Sequence, residues 1–290
     1  MKIIKVDEKY NNKKVIDFLL DSFDGLSSST IFKALRKKDI RVNDKRISEN
    51  ITIKAGDEVK VYIVDDLLEK KISISKVYED DNIVVFDKPS GMETTGEKSL
   101  TSYAKNLYAG FFIEPCHRLD RNTSGLVLFA KNKISEDILL NAFKNHSVKK
   151  HYICVVVGIP KNKSDRLTAY LFKDSKKSQV YISDNPKTGY REIITSYRVL
   201  KSNNEKNISL LDVTLETGRT HQIRAHMAHI GYPVLGDGKY GINLINKQFR
   251  KNGQCLTSYS LSFTDLENTE LEYLNNKVIK LNFLPFDNLI

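Results

Sequence analysis

The chain has 290 residues, of which 40% are hydrophobic and 28% charged, a balance that sustains a folded core and excludes wholesale disorder. Its formal charge of +10 favours a polyanionic partner, because each Lys or Arg that neutralises a phosphate releases a condensed counterion. No apolar run approaches the roughly 20 residues that span a bilayer, the segment MKIIKVDEKY lacks a signal-type apolar core, and Cys116, Cys154 and Cys255 are too scattered for a disulfide framework or a CxxC metal site. A cytoplasmic protein with no membrane partner is expected, built as one large domain and a small one.

Residues 1–64 read as the small domain. VIDFLLDSF puts Val15, Phe18, Leu19 and Leu20 on one helical stripe, and SSSTIFKALRKKD opens with hydroxyl caps before Ile31, Phe32 and Leu35. IRVNDKRI reads as a hairpin turning at Asn43 and Asp44, and DEVKVYIV as a closing strand. Lys33, Arg36 and Lys37 on the second helix and Arg41 on the hairpin form a cationic surface. This segment resembles the small RNA-binding domain of ribosomal small-subunit protein four, with Asp44 standing where a turn glycine is usual. The resemblance implies that Lys33, Arg36, Lys37 and Arg41 contact RNA. Residues 65–75, DDLLEKKISIS, read as a linker.

Residues 76–290 read as a larger domain. NIVVFDK, GLVLFAK, HYICVVVG, EIITSYRVL and ISLLDVTL cluster β-branched and aromatic residues between turn signals. Asn132 caps a helix carrying Ile134, Ile138, Ala142 and Phe143, and a second helix from Thr220 to Ile230 presents Ile223, Met227 and Ile230. Strands and helices do not alternate strictly, which disfavours a doubly wound fold. The expected class is α+β: a mixed, largely antiparallel sheet with flanking helices, beside the small N-terminal α/β domain. His221, His226 and His229 lack the HExxH arrangement of a helical metal site, so no metal is expected, and His226 reads as a core histidine.

The sharpest motif is HRLDRNTSG, His117 to Gly125, directly before LVLFAK. It resembles the signature loop of the RluA-type family of pseudouridine synthases. The resemblance continues through KPSG at 88–91, HYICVVVG at 151–158 and TGRTHQIRAHMAHIGYPVLGDGKYG at 217–241. It implies a cofactor-free isomerase that breaks the ribose bond to the uracil ring nitrogen, rotates the base and rejoins it through ring carbon 5. Asp120 is implied as the catalytic carboxylate, either adding to the ring or promoting loss of a ribose proton. Arg219 is implied as the basic partner of that carboxylate, Tyr152 as the aromatic that packs on the base, and Arg118 as a contact to RNA. Leu256, in CLTSYSLSF, matches the apolar residue beneath the carboxylate, although Thr257 and Ser258 replace the usual His-Ala. His117 reads as a loop-ordering residue. The implied partner is structured RNA, ribosomal RNA before transfer RNA, bound by a monomer. A non-catalytic RNA-binding assembly factor on the same fold is the rival reading.

Overall fold

The computed structural model describes residues 1–23, 25–63, 74–251 and 253–290, and the chain divides into two units, Met1–Ser73 and Ile74–Ile290. Most of the linker expected over 65–75 lies outside the described residues. In the first unit, β1 (Lys2–Lys5), β2 (Ile40–Val42), β3 (Lys45–Arg46) and β4 (Glu58–Val61) form an antiparallel sheet in the order β1-β4-β2-β3. The helices are α1 (Val15–Ser22) and α2 (Ser28–Lys37). The Thr30 N–H donates to Ser27 Oγ at 3.2 Å, which caps α2. Asn43 and Asp44 both take positive φ, 48° and 63°, the geometry of a tight turn whose twist matches its strands. Phe18, Leu19, Ile31, Leu35 and Val59 fill the core. Phe32, expected on the apolar stripe, is instead 49% exposed; the buried face of α2 turns on Ile31, Ala34 and Leu35.

The second unit is built on β5 (Lys76–Glu79), β6 (Ile83–Lys88), β7 (Glu114–Pro115), β8 (Ser124–Ala130), β9 (Val148–Val157), β10 (Ser164–Asp174), β11 (Gln179–Ser183), β12 (Arg191–Asn203), β13 (Ile208–Leu215), β14 (Leu256–Phe263) and β15 (Val278–Lys280). They form one sheet in the order β11-β10-β12-β13-β9-β14-β8-β6-β5, with β7 on β8 and β15 on β14. β8 and β14 pair in parallel, while the neighbouring pairs β6–β8, β9–β14 and β9–β13 are antiparallel. The helices are α3 (Leu100–Leu107), α4 (Lys133–Lys144), α5 (Gln222–His229) and α6 (Asn243–Gln248). This is the mixed, largely antiparallel α+β class expected. Ser135 N donates to Asn132 Oδ1 at 2.8 Å, so α4 starts at its expected cap. Its buried face is Ser135, Leu139 and Ala142, however, and Ile134 is 56% exposed.

Strand register is what positions the site. Lys88 pairs with Gly125, Gly125 with Ser258, Ser258 with Tyr152, and Tyr152 with Val213. One row across five strands therefore brings KPSG, the end of HRLDRNTSG, CLTSYSLSF and HYICVVVG side by side. Gly125 sits in this row at φ +104°, where an added Cβ would lie 2.2 Å from the Ser258 carbonyl oxygen. Only glycine fits that parallel seam. Gly125→Ala is expected to destabilise the protein by at least about 2 kcal/mol, from backbone strain and forced separation of β8 and β14. Urea unfolding at neutral pH reads it, and an unchanged midpoint contradicts this account of the seam.

Candidate active site

The loop carrying Asp120 is fastened from behind by the turn after β6. Lys88 is fully buried, and its ammonium donates to the carbonyls of Pro89 at 3.0 Å, Met92 at 2.7 Å and Arg121 at 3.1 Å. Burial pulls the Lys88 ammonium down to about 8, against the opposing charges of Glu93, Asp120 and Asp87. The Gly91 N–H donates to the Arg121 carbonyl at 2.9 Å, and Ser90 Oγ to that of Asn122 at 2.9 Å. Thr94, also buried, clasps Leu119 by accepting from its N–H and donating to its carbonyl, each at 3.1 Å. KPSG thus acts as a clamp on the signature loop, because a buried ammonium must spend its donors on whatever acceptors surround it.

His117 anchors the other side. Its Nε2 accepts from the Leu128 N–H of β8 at 3.1 Å, which leaves the ring proton on Nδ1. Burial, with the charge of Lys150, holds it down to about 3, so it stays neutral.

Asp120 opens onto a cavity of about 250 Å³. Leu119, Leu215, Ile223 and Leu256 give it apolar walls, Tyr152 an aromatic one, and Arg118, Lys150, Lys173 and Arg219 a cationic rim. Tyr152 is 6% exposed, and burial followed by the charge of Asp120 raises its phenol above the usual range. That disfavours a phenolate and suits a packing surface. Arg118 and Arg219 are exposed at the mouth, and Leu256 is buried beside Tyr152. The site residues expected from sequence in this unit therefore meet around one cavity.

The basic partner of Asp120 differs from expectation. Arg224 Nη1 donates to Asp120 Oδ2 at 3.1 Å, whereas Arg219 lies in the exposed turn before α5, its N–H bonded to Gln222 Oε1 at 3.0 Å. Helix α5 begins at Gln222, so Arg224 falls in its first turn, and helical side chains lean toward the N-terminus, here toward the signature loop. Arg224 is itself held as a fork: Nε donates to Asp237 Oδ2 at 2.6 Å and Nη2 to Asp237 Oδ1 at 3.1 Å. Burial alone would raise the Asp237 carboxyl, but Arg224 and the N–H groups of Tyr240 and Lys239 more than reverse this and hold it below its usual range. The result is a line of alternating charge, Asp120, Arg224, Asp237. Its inner pair is almost wholly buried, with side chains 9% and 0% exposed.

The family model described as RNA pseudouridylate synthase matches residues 82–229, a span that includes Asp120, Tyr152 and Arg224. The chain is 38% identical over 240 residues to "Ribosomal large subunit pseudouridine synthase C" of Rickettsia conorii, covering 74% of this chain and 78% of that one. The chain belongs to the RNA pseudouridylate synthase family. A second member of that family, "Uncharacterized RNA pseudouridine synthase" of Mycoplasma capricolum, is 31% identical over 303 residues and covers 96% of both chains. Among solved structures, "Human RNA Pseudouridylate Synthase Domain Containing 1" shares the fold, with a TM-score of 0.60 at 23% identity over 74% of this chain and 84% of that one. As a pseudouridylate synthase the protein is an isomerase. Among the described residues no helix is long and apolar enough to cross a membrane.

Sequence reasoning missed Arg224, Asp237, Tyr240 and Lys150 as site residues of this synthase. The only signals were a second arginine five positions after Arg219 and an aspartate in LGDGKYG. His226 is the core histidine expected: it is 1% exposed, and its Nδ1 lies 3.0 Å from Thr195 Oγ1. Burial, with the charge of His229, lowers it from 6.5 to about 4. Because the unfolded chain binds this proton first, stability is intact above about pH 6.5 and falls as the pH drops toward 4. From pH 7 to pH 5 this one group is expected to cost about 2 kcal/mol. His226→Asn retains an acceptor for Thr195 and should flatten the pH dependence of urea unfolding by that amount; a slope identical to wild type contradicts the assignment.

Proposed function

We propose that this chain isomerises specific uridines of ribosomal RNA, those of the large subunit in particular, as a cytoplasmic enzyme with Asp120 as its catalytic carboxylate. The observation that carries the reading is a carboxylate with one oxygen held by Arg224, at the edge of a cavity walled by Tyr152 and Leu256. The name of the Rickettsia relative supports the substrate. To reach Asp120 the uridine must leave its stack, since a duplex hides the sugar and the ring. The flipped base then lies against Tyr152 and Leu256, while Arg118, Lys173 and Arg219 at the cationic rim meet the phosphates on either side. With Asp120 either adding to the ring or promoting loss of a ribose proton, the bond from ribose to ring nitrogen breaks, the base turns within the cavity, and ring carbon 5 bonds to the ribose. The proton on that carbon leaves to solvent and ring nitrogen regains one, while Asp120 is freed either by breaking its bond to the ring or by return of the ribose proton, so no oxidant, reductant or group donor enters the balance.

Loss of that proton supplies the assay. Transcripts of ribosomal and transfer RNA carrying tritium at uridine carbon 5 are incubated with the protein, and released tritium is counted. Release from the large-subunit transcript is expected. Release from transfer RNA alone moves the substrate to that class, and release from neither supports the assembly-factor reading.

The first unit is proposed as an RNA-binding domain of the kind found in ribosomal small-subunit protein four. Lys33, Arg36 and Lys37 are exposed on α2. Arg41 is only half-buried and stacks on Tyr62, its guanidinium carbon 4.8 Å from the ring centroid. Arg36→Glu with Lys37→Glu is expected to weaken RNA binding about tenfold or more at physiological salt and to reduce the log–log salt slope by about one per lost phosphate contact. A filter-binding salt titration measures both, and an unchanged slope excludes these side chains from phosphate contact.

A further inference from the structure

Beside Arg224, a second side chain approaches the same oxygen of Asp120. His221 Nε2 lies 3.7 Å from Asp120 Oδ2, and the imidazole is only 15% exposed at the cavity wall. Its backbone is in the left-handed region, φ 54° and ψ 18°, at the residue preceding α5, yet its side chain makes no capping hydrogen bond to the helix. A non-glycine residue held there costs of order 1 kcal/mol or more, and such strain persists where the surroundings over-determine it. The surroundings are specific. Tyr240 Oη accepts from the Val180 N–H at 3.0 Å and lies 2.9 Å from His221 Nδ1. With one acceptor position of the phenol taken by Val180, its own proton is free for Nδ1, and the proton of a neutral imidazole is then on Nε2, facing the carboxylate.

We propose that His221 is a positioning residue for Asp120: held in one tautomer by Tyr240, its Nε2–H and the Arg224 guanidinium together fix Oδ2 and leave Oδ1 as the reacting atom. The inference rests on the reading of Asp120 as the catalytic carboxylate. The separation of 3.7 Å is longer than a hydrogen bond, and contacts of this kind tighten in the reacting complex. The charged and titratable groups around the imidazole are Asp120 on the signature loop, Arg224 on α5, and Asp237, Lys239 and Tyr240 on the loop that follows. Burial, then Arg224 and Lys239, lower the imidazole against the pull of Asp120 and Asp237, so it is neutral at pH 7 to 8. Protonation would seat a second full cation on Asp120 and quench it as a nucleophile or base.

The test is tritium release by wild type, His221→Asn and Tyr240→Phe on the same transcript from pH 5 to 9, with RNA affinity and thermal unfolding measured alongside. Asparagine tolerates the left-handed backbone but is too short to reach Oδ2, and the phenylalanine variant removes only the hydroxyl. His221→Asn is expected to lower kcat about tenfold at pH 7.5 with KM unchanged, and to lose the acid-side fall in kcat expected of wild type once the imidazole takes up a proton. Tyr240→Phe should lower kcat several-fold by freeing the tautomer. Wild-type kcat and an unchanged acid limb in both variants overturn the proposal, as does a loss confined to KM or to thermal stability. No turnover by wild type itself overturns the underlying reading, and this inference with it.

Discussion

Replacing Asp120 by asparagine is expected to reduce turnover by at least about 10³-fold while changing RNA affinity by less than about threefold. The side chain keeps its shape and its oxygen, so Arg224 retains an acceptor, and the guanidinium remains neutralised by its fork to Asp237. What disappears is the charge, and both routes open to the carboxylate need it: addition to the ring needs a nucleophile, and removal of a ribose proton needs a base. In the proposed reading, affinity comes from phosphate contacts at the cationic rim and on the small unit, and Asp120 makes none of them. Single-turnover kinetics with saturating enzyme separates the two quantities. Turnover within about tenfold of wild type means that another group does the chemistry.

The second large effect is on the buried partner. Arg224→Met is expected to cost about 3–5 kcal/mol of stability, because Asp237 is then a carboxylate with 0% side-chain exposure left with the backbone N–H groups of Lys239 and Tyr240. Activity should fall as well, through the loss of the donor on Asp120 Oδ2. A compound variant separates the two losses. Arg224→Met with Asp237→Asn removes the stranded charge and should recover much of the stability, yet it leaves Asp120 unheld and should stay slow. Chemical unfolding and tritium release on the same preparations give both readouts. Recovery of activity together with stability would show that Arg224 acts on the fold alone and not on the carboxylate.

These expectations depend on features that differ in how plainly the sequence displays them. HRLDRNTSG is contiguous, so its loop could be read directly, and the apolar strands NIVVFDK, GLVLFAK and ISLLDVTL announce themselves by composition. The row Lys88, Gly125, Ser258, Tyr152 could not be read, because it arises from register between strands far apart in the chain. Choosing between Arg219 and Arg224 required the start of α5: with the helix expected from Thr220 the two arginines sit about one and a half turns apart, and only the observed start at Gln222 shows which faces the loop. Lys88 was legible as part of a turn but not as a buried ammonium, since lysine is seldom fully enclosed. Phe32 and Ile134 show the same limit on helices, where periodicity finds an apolar stripe without fixing the edge at which solvent begins. β10 is displayed less plainly, because its apolar residues, Leu167 and the run from Ala169 to Phe172, fill only the middle of the strand between charged ends.

The central claim is that this chain makes pseudouridine in ribosomal RNA through Asp120. The most direct measurement maps pseudouridine, by carbodiimide-dependent stops in primer extension, across ribosomal and transfer RNA from cells lacking the protein and from the same cells expressing wild type or Asp120→Asn. The account predicts that specific stops in large-subunit ribosomal RNA vanish on deletion, return with wild type and stay absent with Asp120→Asn. Restoration of those stops by Asp120→Asn would contradict it.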